Sequence, residues 1–562
     1  MNLAPKPDTN DPAPRDPRED RLFWRVLGKI VGGVYFCFLL LWKTLKFLVV
    51  FPVYLLVTAL RAVYPLLAAL VGLLCLPWIF VKSLFEKKPE PWMEAIFRWA
   101  DRERIPPLNE HGGGLARTPG ALFAQKELWV VLRRLKDIPE EFWNLTQLEK
   151  LTIHYDYHPR GSEHGPEGDA LSAGIGRLER LESLDIRDFS FTALPPEIAR
   201  LKRLRTLLLQ TNDIESLPPE IGALTALREL RLDGNRLTEL PENFGEFTHL
   251  EILSLSRNPL RRLPESFARL ENLTVLELAN TKLAAPPGVG AMRGLKSLDL
   301  SYLPLEKLPA DVLELTHLQN LELYATGIRD LTGIERLEEL ETLVLGGNEL
   351  KELPANVCEL RKLKKLSIGD CRLPRLPPEI GKLAALADLD ARGNELTDLP
   401  PEMAALRCLE TVSLEYNRFT VFPPALCELP ELKRLSLEGN RIAALPPEIG
   451  RLTRLKALHM ADPTTRHTYE NSIAVPPPEF FSLPNLTALS LNGAAWPEFP
   501  AGFRQMKLEL FTLISRPDIA LTQADKDWAA RVPYGDFRVV RESWRINHGE
   551  HGEHGEKPEN VA

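Results

Sequence analysis

Leucines recur at a fixed spacing over most of the chain, in the pattern L-x-x-L-x-L-x-x-N-x-L. The pattern is clearest in three successive segments, which begin at Leu204, Leu227 and Leu250 and are therefore 23 residues apart. Within each segment the alternation of leucine and polar residues predicts a short strand, because successive side chains of a strand point to opposite faces. One repeat cannot bury its own leucines, so the period predicts a stack of repeats around a shared core.

Two further positions predict what flanks each strand. An asparagine such as Asn235 follows the strand, where its amide can bond the backbone of neighbouring repeats and form a ladder. The motif Leu-Pro-Pro-Glu-Ile-Gly at 217–222, 376–381 and 445–450 opens the return segment. Because proline fixes φ and suits a first helical turn, we expect the return segments to be short helical turns.

The repeats extend over residues 125–514, where we count 17 strand positions. Two insertions, about 155–174 and 462–474, interrupt them, and whether these insertions are functional stays open. Four residues replace the ladder asparagine: Thr281, Leu303, Thr326 and Cys371. Residues 281–335 therefore either differ locally in curvature or show only the drift that is common in repeat arrays.

An apolar block, residues 23–84, precedes the repeats and follows a polar tail, residues 1–22, that we expect to be disordered. A membrane span needs about 20 apolar residues, so the block has material for two or three spans. A hairpin with spans at about 45–60 and 63–81 best satisfies the positive-inside rule, and residues 26–42 would then be interfacial or re-entrant. Three full spans would place the tail and the repeats on opposite sides. The block could also be a buried soluble helical domain.

The ends of the repeat array are expected to be capped. Residues 85–124 form a linker or N-terminal cap, in which Trp92, Ile96 and Trp99 lie near one face of a predicted helix. That helix either lies at the membrane interface or covers the first repeat. Residues 515–546 are rich in aromatic side chains and predict a C-terminal cap with a helix over 522–532, whereas 547–562 are expected to be disordered.

Composition and charge exclude some classes of protein. The chain has 562 residues, of which 44% are hydrophobic and 26% charged, and its formal net charge of −8 argues against generic nucleic-acid binding. Its six cysteines are spread thinly and favour a reducing compartment. The chain is therefore expected at a membrane, with its repeats in the cytoplasm.

No catalytic constellation is found in the sequence, so we expect no enzyme, no cofactor and no metal. The segment 290–297 has some likeness to a phosphate-binding loop, but Leu295 separates its glycine from its lysine and the repeat places a strand there. His154, Asp156, His158 and His164 cluster in the first insertion. Their spacing and the surrounding glycines favour an exposed loop over a metal site.

The outward positions of the predicted strands form the candidate binding surface. They carry mixed, mildly acidic side chains, which suit a polar or basic protein segment or else a solvated face without a dedicated ligand. Aromatic anchors of the kind found at binding hot spots are scarce on it, with Trp129 near one end and Tyr324 near the middle. The candidate partner-binding residues are Asp185, Arg187, Glu229, Arg231, Asp233, Glu277, Asp299, Glu322, Tyr324, Asp388, Asp390, Arg392, Glu415, Arg434 and Glu438.

From about 125 to 513 the chain resembles the intracellular leucine-rich repeat proteins of the plant Ras-group type and their bacterial relatives. The 23-residue period and the Leu-Pro-Pro-Glu-Ile-Gly motif carry this resemblance. It implies an α/β leucine-rich repeat solenoid, with a curved parallel sheet on the concave face and short helical turns on the convex face. The apolar block adds an N-terminal helical membrane region.

Members of that family are chiefly protein-binding scaffolds. The resemblance and the apolar block together predict a membrane-anchored, non-catalytic scaffold that binds a protein partner of unknown identity through its solenoid. Two alternatives stay open. The chain could be a component of an oligomeric membrane complex or pore whose assembly the repeats organise, or it could be a surface or periplasmic receptor.

Overall fold

The computed structural model describes residues 90–107, 114–156, 170–461, 471–493, 496–515, 519, 521–539 and 542–544. The chain divides into two compact units, Met1–Lys88 and Pro89–Ala562. The predicted membrane block, 23–84, belongs to the first unit and lies outside the described residues. Among the residues that are described, no helix has both the length and the apolar character that a bilayer crossing requires.

The repeats of the second unit form one sheet of seventeen parallel strands, β1–β17, which pair in chain order. The strand number confirms the count made from the sequence. The strands are β1 Glu127–Leu132, β2 Lys150–Tyr155, β3 Ser183–Arg187, β4 Thr206–Leu208, β5 Glu229–Arg231, β6 Ile252–Ser254, β7 Val275–Glu277, β8 Ser297–Asp299, β9 Asn320–Glu322, β10 Thr342–Val344, β11 Lys365–Ser367, β12 Asp388–Asp390, β13 Thr411–Ser413, β14 Arg434–Ser436, β15 Ala457–His459, β16 Ala488–Asn492 and β17 Leu510–Ser515.

Each repeat strand buries its central apolar residue and turns its neighbours outward. In β5, Leu230 is fully buried between the half-buried side chains of Glu229 and Arg231. The buried side chains of successive repeats form one continuous hydrophobic core. Because each buried leucine contributes about 1.5–3 kcal/mol, this shared core supplies the main stabilisation of the stack.

The return segments are short 3-10 turns, as the proline motif predicts. Those at Pro219–Ala223, Pro378–Lys382 and Pro447–Arg451 each begin with the second proline of the motif. Proline is tolerated there because the first amide of a helical turn has no partner within the turn. The isoleucine of each motif is buried, so the turn also contributes to the core.

The ladder asparagines join each repeat to the one before it. The side-chain amide of Asn235 donates to the carbonyl oxygens of Leu209 at 2.9 Å and Leu232 at 2.8 Å. Its carbonyl oxygen accepts from the backbone amide of Ile214 at 3.0 Å. Three buried backbone groups of two repeats are therefore satisfied by one side chain.

The two insertions are shorter than the sequence analysis assigns. Asn471 takes the ladder position after β15 and donates to Leu437 at 2.7 Å and Met460 at 2.9 Å, while Ile473 joins the core. The 3-10 turn Ala173–Arg177 likewise begins inside the first assigned insertion. The predicted ends at 174 and 474 are therefore wrong, because the repeat pattern resumes before its next leucines make it visible.

The residue just before the ladder position has a positive φ in twelve successive repeats. These residues are Asp188, Thr211, Gly234, Arg257, Asn280, Tyr302, Ala325, Gly347, Asp370, Gly393, Tyr416 and Gly439. The left-handed conformation costs an L-residue about 1–2 kcal/mol, and glycine avoids that cost. Only four of the twelve are glycine, so the repeat geometry imposes this conformation on whatever residue stands there.

Helix α1, Pro91–Arg102, covers the first repeat. It buries Met93, Ile96, Trp99 and Ala100. The ring of Trp99 meets that of Phe142, in the first repeat, edge-on with centroids 5.4 Å apart. This packing favours a cap over an interfacial helix. The short helix α2, Pro119–Ala124, follows before β1.

The other end of the core is covered by helix α3, Gln523–Ala529, which lies inside the range where the sequence predicts a helix. Its Trp528 packs against Phe511, with ring centroids 5.3 Å apart. The buried Asp525 accepts a hydrogen bond of 2.8 Å from the guanidinium of Arg504. Strand β18, Tyr534–Val539, then adds to β17 in parallel, and β19, Glu542–Trp544, pairs with β18 in antiparallel fashion.

Candidate binding site on the sheet face

Three acidic residues form a row across neighbouring strands of the sheet face. Glu277 on β7 is in register with Asp299 on β8, which is in register with Glu322 on β9. Adjacent strands lie about 4.8 Å apart, so the three carboxylates are close enough to repel one another. Among the described residues no cation forms an ion pair with Asp299 or Glu322.

The pKa of Glu322 reflects this arrangement. Desolvation against the neighbouring strands is the largest cause that raises the pKa of this carboxyl group above its ordinary value. The negative charges of Asp299 and Glu277 raise it further, and the positive charge of Lys365 opposes them. Desolvation and the neighbouring carboxylates therefore both disfavour the charged form of Glu322.

Two tyrosines flank the acidic row. The rings of Tyr302 and Tyr324 have centroids 5.4 Å apart and an interplanar angle of 62°. Tyr302 keeps 55% of its surface exposed, although its backbone has the left-handed φ of +64°. Gly346 and Gly347 lie against the ring of Tyr324, since a Cβ on either would come within 3.1–3.2 Å of it. The glycine pair therefore makes room for this ring.

The acidic row and the tyrosines line an open cavity of about 1080 Å³, which we call the acidic groove. Its lining residues include Asp233, Ser256, Arg257, Glu277, Asp299, Ser301, Tyr302, Glu322, Tyr324 and Val344. Four of these residues are acidic and only Arg257 is basic. The groove is therefore a negatively charged surface with aromatic side chains along one part of it.

Several candidate residues from the sequence analysis are instead paired with one another. The guanidinium of Arg187 lies 2.6 Å from the carboxylate of the buried Asp185. Arg231 donates to Glu229 at 2.7 Å and lies 3.5 Å from Glu277. In these pairs the charges are balanced within the sheet face.

Strands β12–β14, with Arg392, Glu415 and Glu438 just beyond them, contain an ion pair of the same kind, and we call them the paired segment. Asp390 forms an ion pair of 2.9 Å with Arg392, and Arg434 donates to the hydroxyl of Thr411 at 2.7 Å. Desolvation raises the pKa of Glu415 above its ordinary value, while the charge of Arg392 opposes the shift. Asp390 and Glu415 of this segment therefore both have Arg392 as a nearby cation.

A second cavity, of about 550 Å³, lies beside β1 at the N-terminal end of the repeats. It is lined in part by Trp129, Arg102, Arg104 and Arg133. Trp129 is 48% exposed, and its ring meets that of His154 edge-on at a centroid distance of 6.3 Å. The two aromatic anchors named from the sequence, Trp129 and Tyr324, therefore belong to separate cavities.

Sequence reasoning missed the role of Tyr302, because the repeat template treats its position as a turn. A signal was present in the sequence, however. Glycine occupies the equivalent position at Gly234, Gly347, Gly393 and Gly439, which indicates a backbone that turns away from the core. An aromatic residue at such a position is predicted to be exposed, and both Tyr302 and Tyr416 are.

The described ranges contain no group of three or more histidine, cysteine, aspartate or glutamate side chains arranged to hold a metal ion. His154, one of the four residues weighed as a metal cluster, instead lies beside Arg187, with 3.2 Å between the ring and guanidinium nitrogens. His158 and His164 lie outside the described residues. What the sheet face offers chemically is hydrogen bonding, charge and aromatic contact.

Comparison with known proteins gives a consistent picture. A family model described as a leucine-rich repeat region matches residues 218–307 and 305–393. The structure of the Leptospira interrogans LRR protein LIC12759 is similar, with 30% identity over 67% of this chain and 92% of that one, at a TM-score of 0.58. A TDR receptor matches at 25% identity over 74% and 70% of the two chains, with a TM-score of 0.53. No curated protein matches the sequence.

Proposed function

The chain belongs to the leucine-rich repeat proteins, and from that premise we propose that it is a non-catalytic scaffold that binds a protein partner through its sheet face while residues 23–84 anchor it to a membrane. The acidic groove is the observation that carries the binding part of this proposal. A charged surface that is not neutralised by its own neighbours is available to complement a partner. Exposed aromatic side chains such as Tyr302 are the residue type that binding hot spots favour.

Photo-crosslinking from single positions of the full-length chain in its native membranes tests this proposal. Benzoylphenylalanine would replace Ser256 in the acidic groove, Ser413 in the paired segment and, as a control, the exposed Glu402 in a 3-10 turn. We expect protein adducts from at least one sheet-face position and none from Glu402. Adducts from Glu402 alone would place the partner on the opposite face and overturn the proposal.

The membrane part of the proposal rests on the apolar block. Its length is sufficient for a two-span hairpin, and the flanking lysines and arginines favour a cytoplasmic position for the repeats. Carbonate extraction of membranes tests the anchor, since a chain without residues 23–84 should be released whereas the full chain should stay. Protease treatment of intact cells and of inverted vesicles tests the side, because cytoplasmic repeats would be digested only in the vesicles.

A receptor is the second candidate function, and its support is the similarity to a protein named as a TDR receptor. The same protease experiment separates the two. Digestion of the repeats from the outer face of intact cells would favour the receptor and imply an odd number of spans.

A further inference from the structure

We propose that the acidic groove docks an extended segment of the partner that carries arginine side chains, with one guanidinium held by Asp299 and Glu322 against the rings of Tyr302 and Tyr324. This inference rests on the proposed function, because it names the part of the sheet face and the chemistry of the partner.

Charge complementarity selects a basic occupant. Arg231 donates a hydrogen bond to Glu229 and lies 3.5 Å from Glu277. Glu277, at one end of the acidic row, therefore already has a cation of this chain beside it. Asp299 uses one carboxylate oxygen to accept from the backbone amide of Ser301 at 2.9 Å. Its second oxygen and the carboxylate of Glu322 form no ion pair among the described residues, and an incoming positive charge would relieve their repulsion.

The tyrosines favour arginine over lysine as that charge. A guanidinium stacks on aromatic faces and bonds carboxylates through two parallel N–H groups, whereas an ammonium group is a compact point charge. Cation–π contact requires the cation within about 6 Å of a ring centroid. The tyrosine rings and the acidic row line the same cavity, so one side chain can satisfy both.

The dimensions fit an extended chain. The groove is lined by residues on or next to β4 through β10, and seven strands at about 4.8 Å spacing span about 29 Å. A chain that crosses the strands covers this distance with about nine residues. Alternate side chains of such a segment face the sheet, so it can bring a second basic residue near Asp233 or Glu277.

The test begins with a display library of random twelve-residue peptides, selected against the full chain in detergent. Three proteins are compared: the wild type, the groove variant Glu277→Gln/Asp299→Asn/Glu322→Gln, and the control variant Asp388→Asn/Asp390→Asn/Glu415→Gln. Both variants lose three negative charges, but only the first loses them from the groove. We expect arginine-containing peptides to be enriched by the wild type and the control variant and not by the groove variant.

A selected peptide is then labelled with fluorescein and its Kd measured by anisotropy. We expect the groove variant to weaken binding by at least about tenfold, because charge pairs buried in an interface contribute strongly, and the control variant to change it less than about twofold. Replacing the peptide's arginines by citrulline, which has the same shape without the charge, should weaken binding as much as the groove variant does. Tyr302→Ala should weaken it by a smaller factor.

The outcomes separate this inference from the proposed function. Enrichment of acidic or apolar peptides, enrichment of nothing, or equal loss in both variants would overturn the inference. In each case, crosslinked adducts from Ser256 or Ser413 would leave the scaffold function standing. A cooperative unfolding transition in each of the two variants confirms that both retain the fold in which they are compared.

Discussion

Strands β7–β9 and strands β12–β14 follow the same repeat plan but differ in two ways at once. After the first three strands the ladder positions hold Thr281, Leu303 and Thr326, whereas after the second three they hold Asn394, Asn417 and Asn440. On the sheet face, β7–β9 carry three acidic residues and no basic one, whereas in the paired segment Asp390 forms an ion pair with Arg392. The ladder asparagine is therefore missing in the same repeats whose sheet face carries acidic residues without a basic one.

Both departures lower local stability. Asn417 satisfies two carbonyl groups and one amide of neighbouring repeats, which Leu303 cannot do. Three carboxylates stacked in register repel one another, and the rule for cross-strand pairs makes that unfavourable. Proteins that violate their local rules do so chiefly at functional sites. The comparison therefore indicates that β7–β9 form the part of the array whose residues serve binding at the expense of stability.

The largest effect is expected from Asn417→Ala, which breaks the ladder in the paired segment. The substitution leaves the buried amide of Leu396 without its partner, whereas the carbonyls of Ala391 and Leu414 each keep a hydrogen bond of 2.9 Å, from Asn394 and Asn440 respectively. We expect the free energy of unfolding to fall by about 1–3 kcal/mol, which is the cost of one unsatisfied buried group. Urea denaturation followed by circular dichroism measures the change.

Leu303→Ala provides the matched comparison in the other region. It creates a cavity at a ladder position but removes no hydrogen bond made by the side chain. Both substitutions destabilise, so the comparison depends on rescue: in Asn417→Thr the hydroxyl can donate to Leu414, as the hydroxyl of Thr326 does to Leu323, and should recover part of the loss. If Asn417→Thr is no better than Asn417→Ala, the ladder contributes through packing alone and the contrast between the two regions disappears.

The repeat architecture follows from the sequence because it depends on periodic positions. Leu204, Leu227 and Leu250 are enough to predict parallel strands, and the prolines at 218–219 are enough to predict the turns. The outward direction of Glu277 or Asp390 follows from the strand period. These features are local or repeat with the period, so one repeat informs all others.

The pairing of charges does not follow from the sequence in the same way. Asp299 and Asp390 occupy the same strand position, and only the side chain two residues on, Ser301 or Arg392, decides whether the carboxylate meets a cation. The tyrosine contact depends on Tyr302 and Tyr324, which lie 22 residues apart and therefore stand at different positions of successive 23-residue repeats. Such features depend on distances between repeats, which the sequence pattern does not specify.

A smaller effect is expected from two threonines at the ladder position. Among the described residues the buried hydroxyl of Thr281 has no hydrogen-bond partner, whereas the hydroxyl of Thr326 has two acceptors within reach, Leu323 at 3.2 Å and Asn348 at 3.1 Å. We expect Thr281→Val to stabilise the fold by about 1 kcal/mol and Thr326→Val to destabilise it by a similar amount. The measurement is the urea midpoint of each variant. Equal signs would show that the two positions do not differ in the way the hydrogen bonds indicate.

A still smaller pair of effects isolates charge. Asp299 and Asp390 each accept a hydrogen bond from the backbone amide two residues on, at 2.9 Å and 3.2 Å, and asparagine can keep that bond. Asp390→Asn should therefore lose mainly the ion pair with Arg392, about 0.5–1 kcal/mol, whereas Asp299→Asn should be neutral or slightly stabilising. Thermal melts in low salt and in 1 M salt test this, because screening should shrink both differences. A loss of stability in Asp299→Asn would mean that its charge has a favourable partner.

The smallest effect is the pH dependence at Glu322. Its pKa in the folded protein is raised, so the folded state binds the proton more tightly than the unfolded state does. The protonated group therefore contributes stability below its ordinary pKa, and that contribution is lost as the pH rises through the folded pKa. Glu322→Gln removes the titration, so the stability of the variant relative to the wild type should rise between pH 4 and pH 7.

A second substitution tests whether the neighbouring carboxylates contribute to the raised pKa of Glu322. In an Asp299→Asn background one of the like charges that raise the pKa of Glu322 is absent, so the gain from Glu322→Gln at pH 7 should be smaller than in the wild type. Glu415→Gln provides the reference in the paired segment, because burial raises the pKa of Glu415 and the charge of Arg392 opposes the shift. Melting temperatures of the single and double variants at pH 4 and pH 7 complete the cycle. If Asp299→Asn leaves the effect of Glu322→Gln unchanged, the charge of Asp299 does not contribute to the raised pKa of Glu322. The carboxylates of the acidic row would then be independent of one another. The electrostatic reason for the row to attract an arginine would be removed.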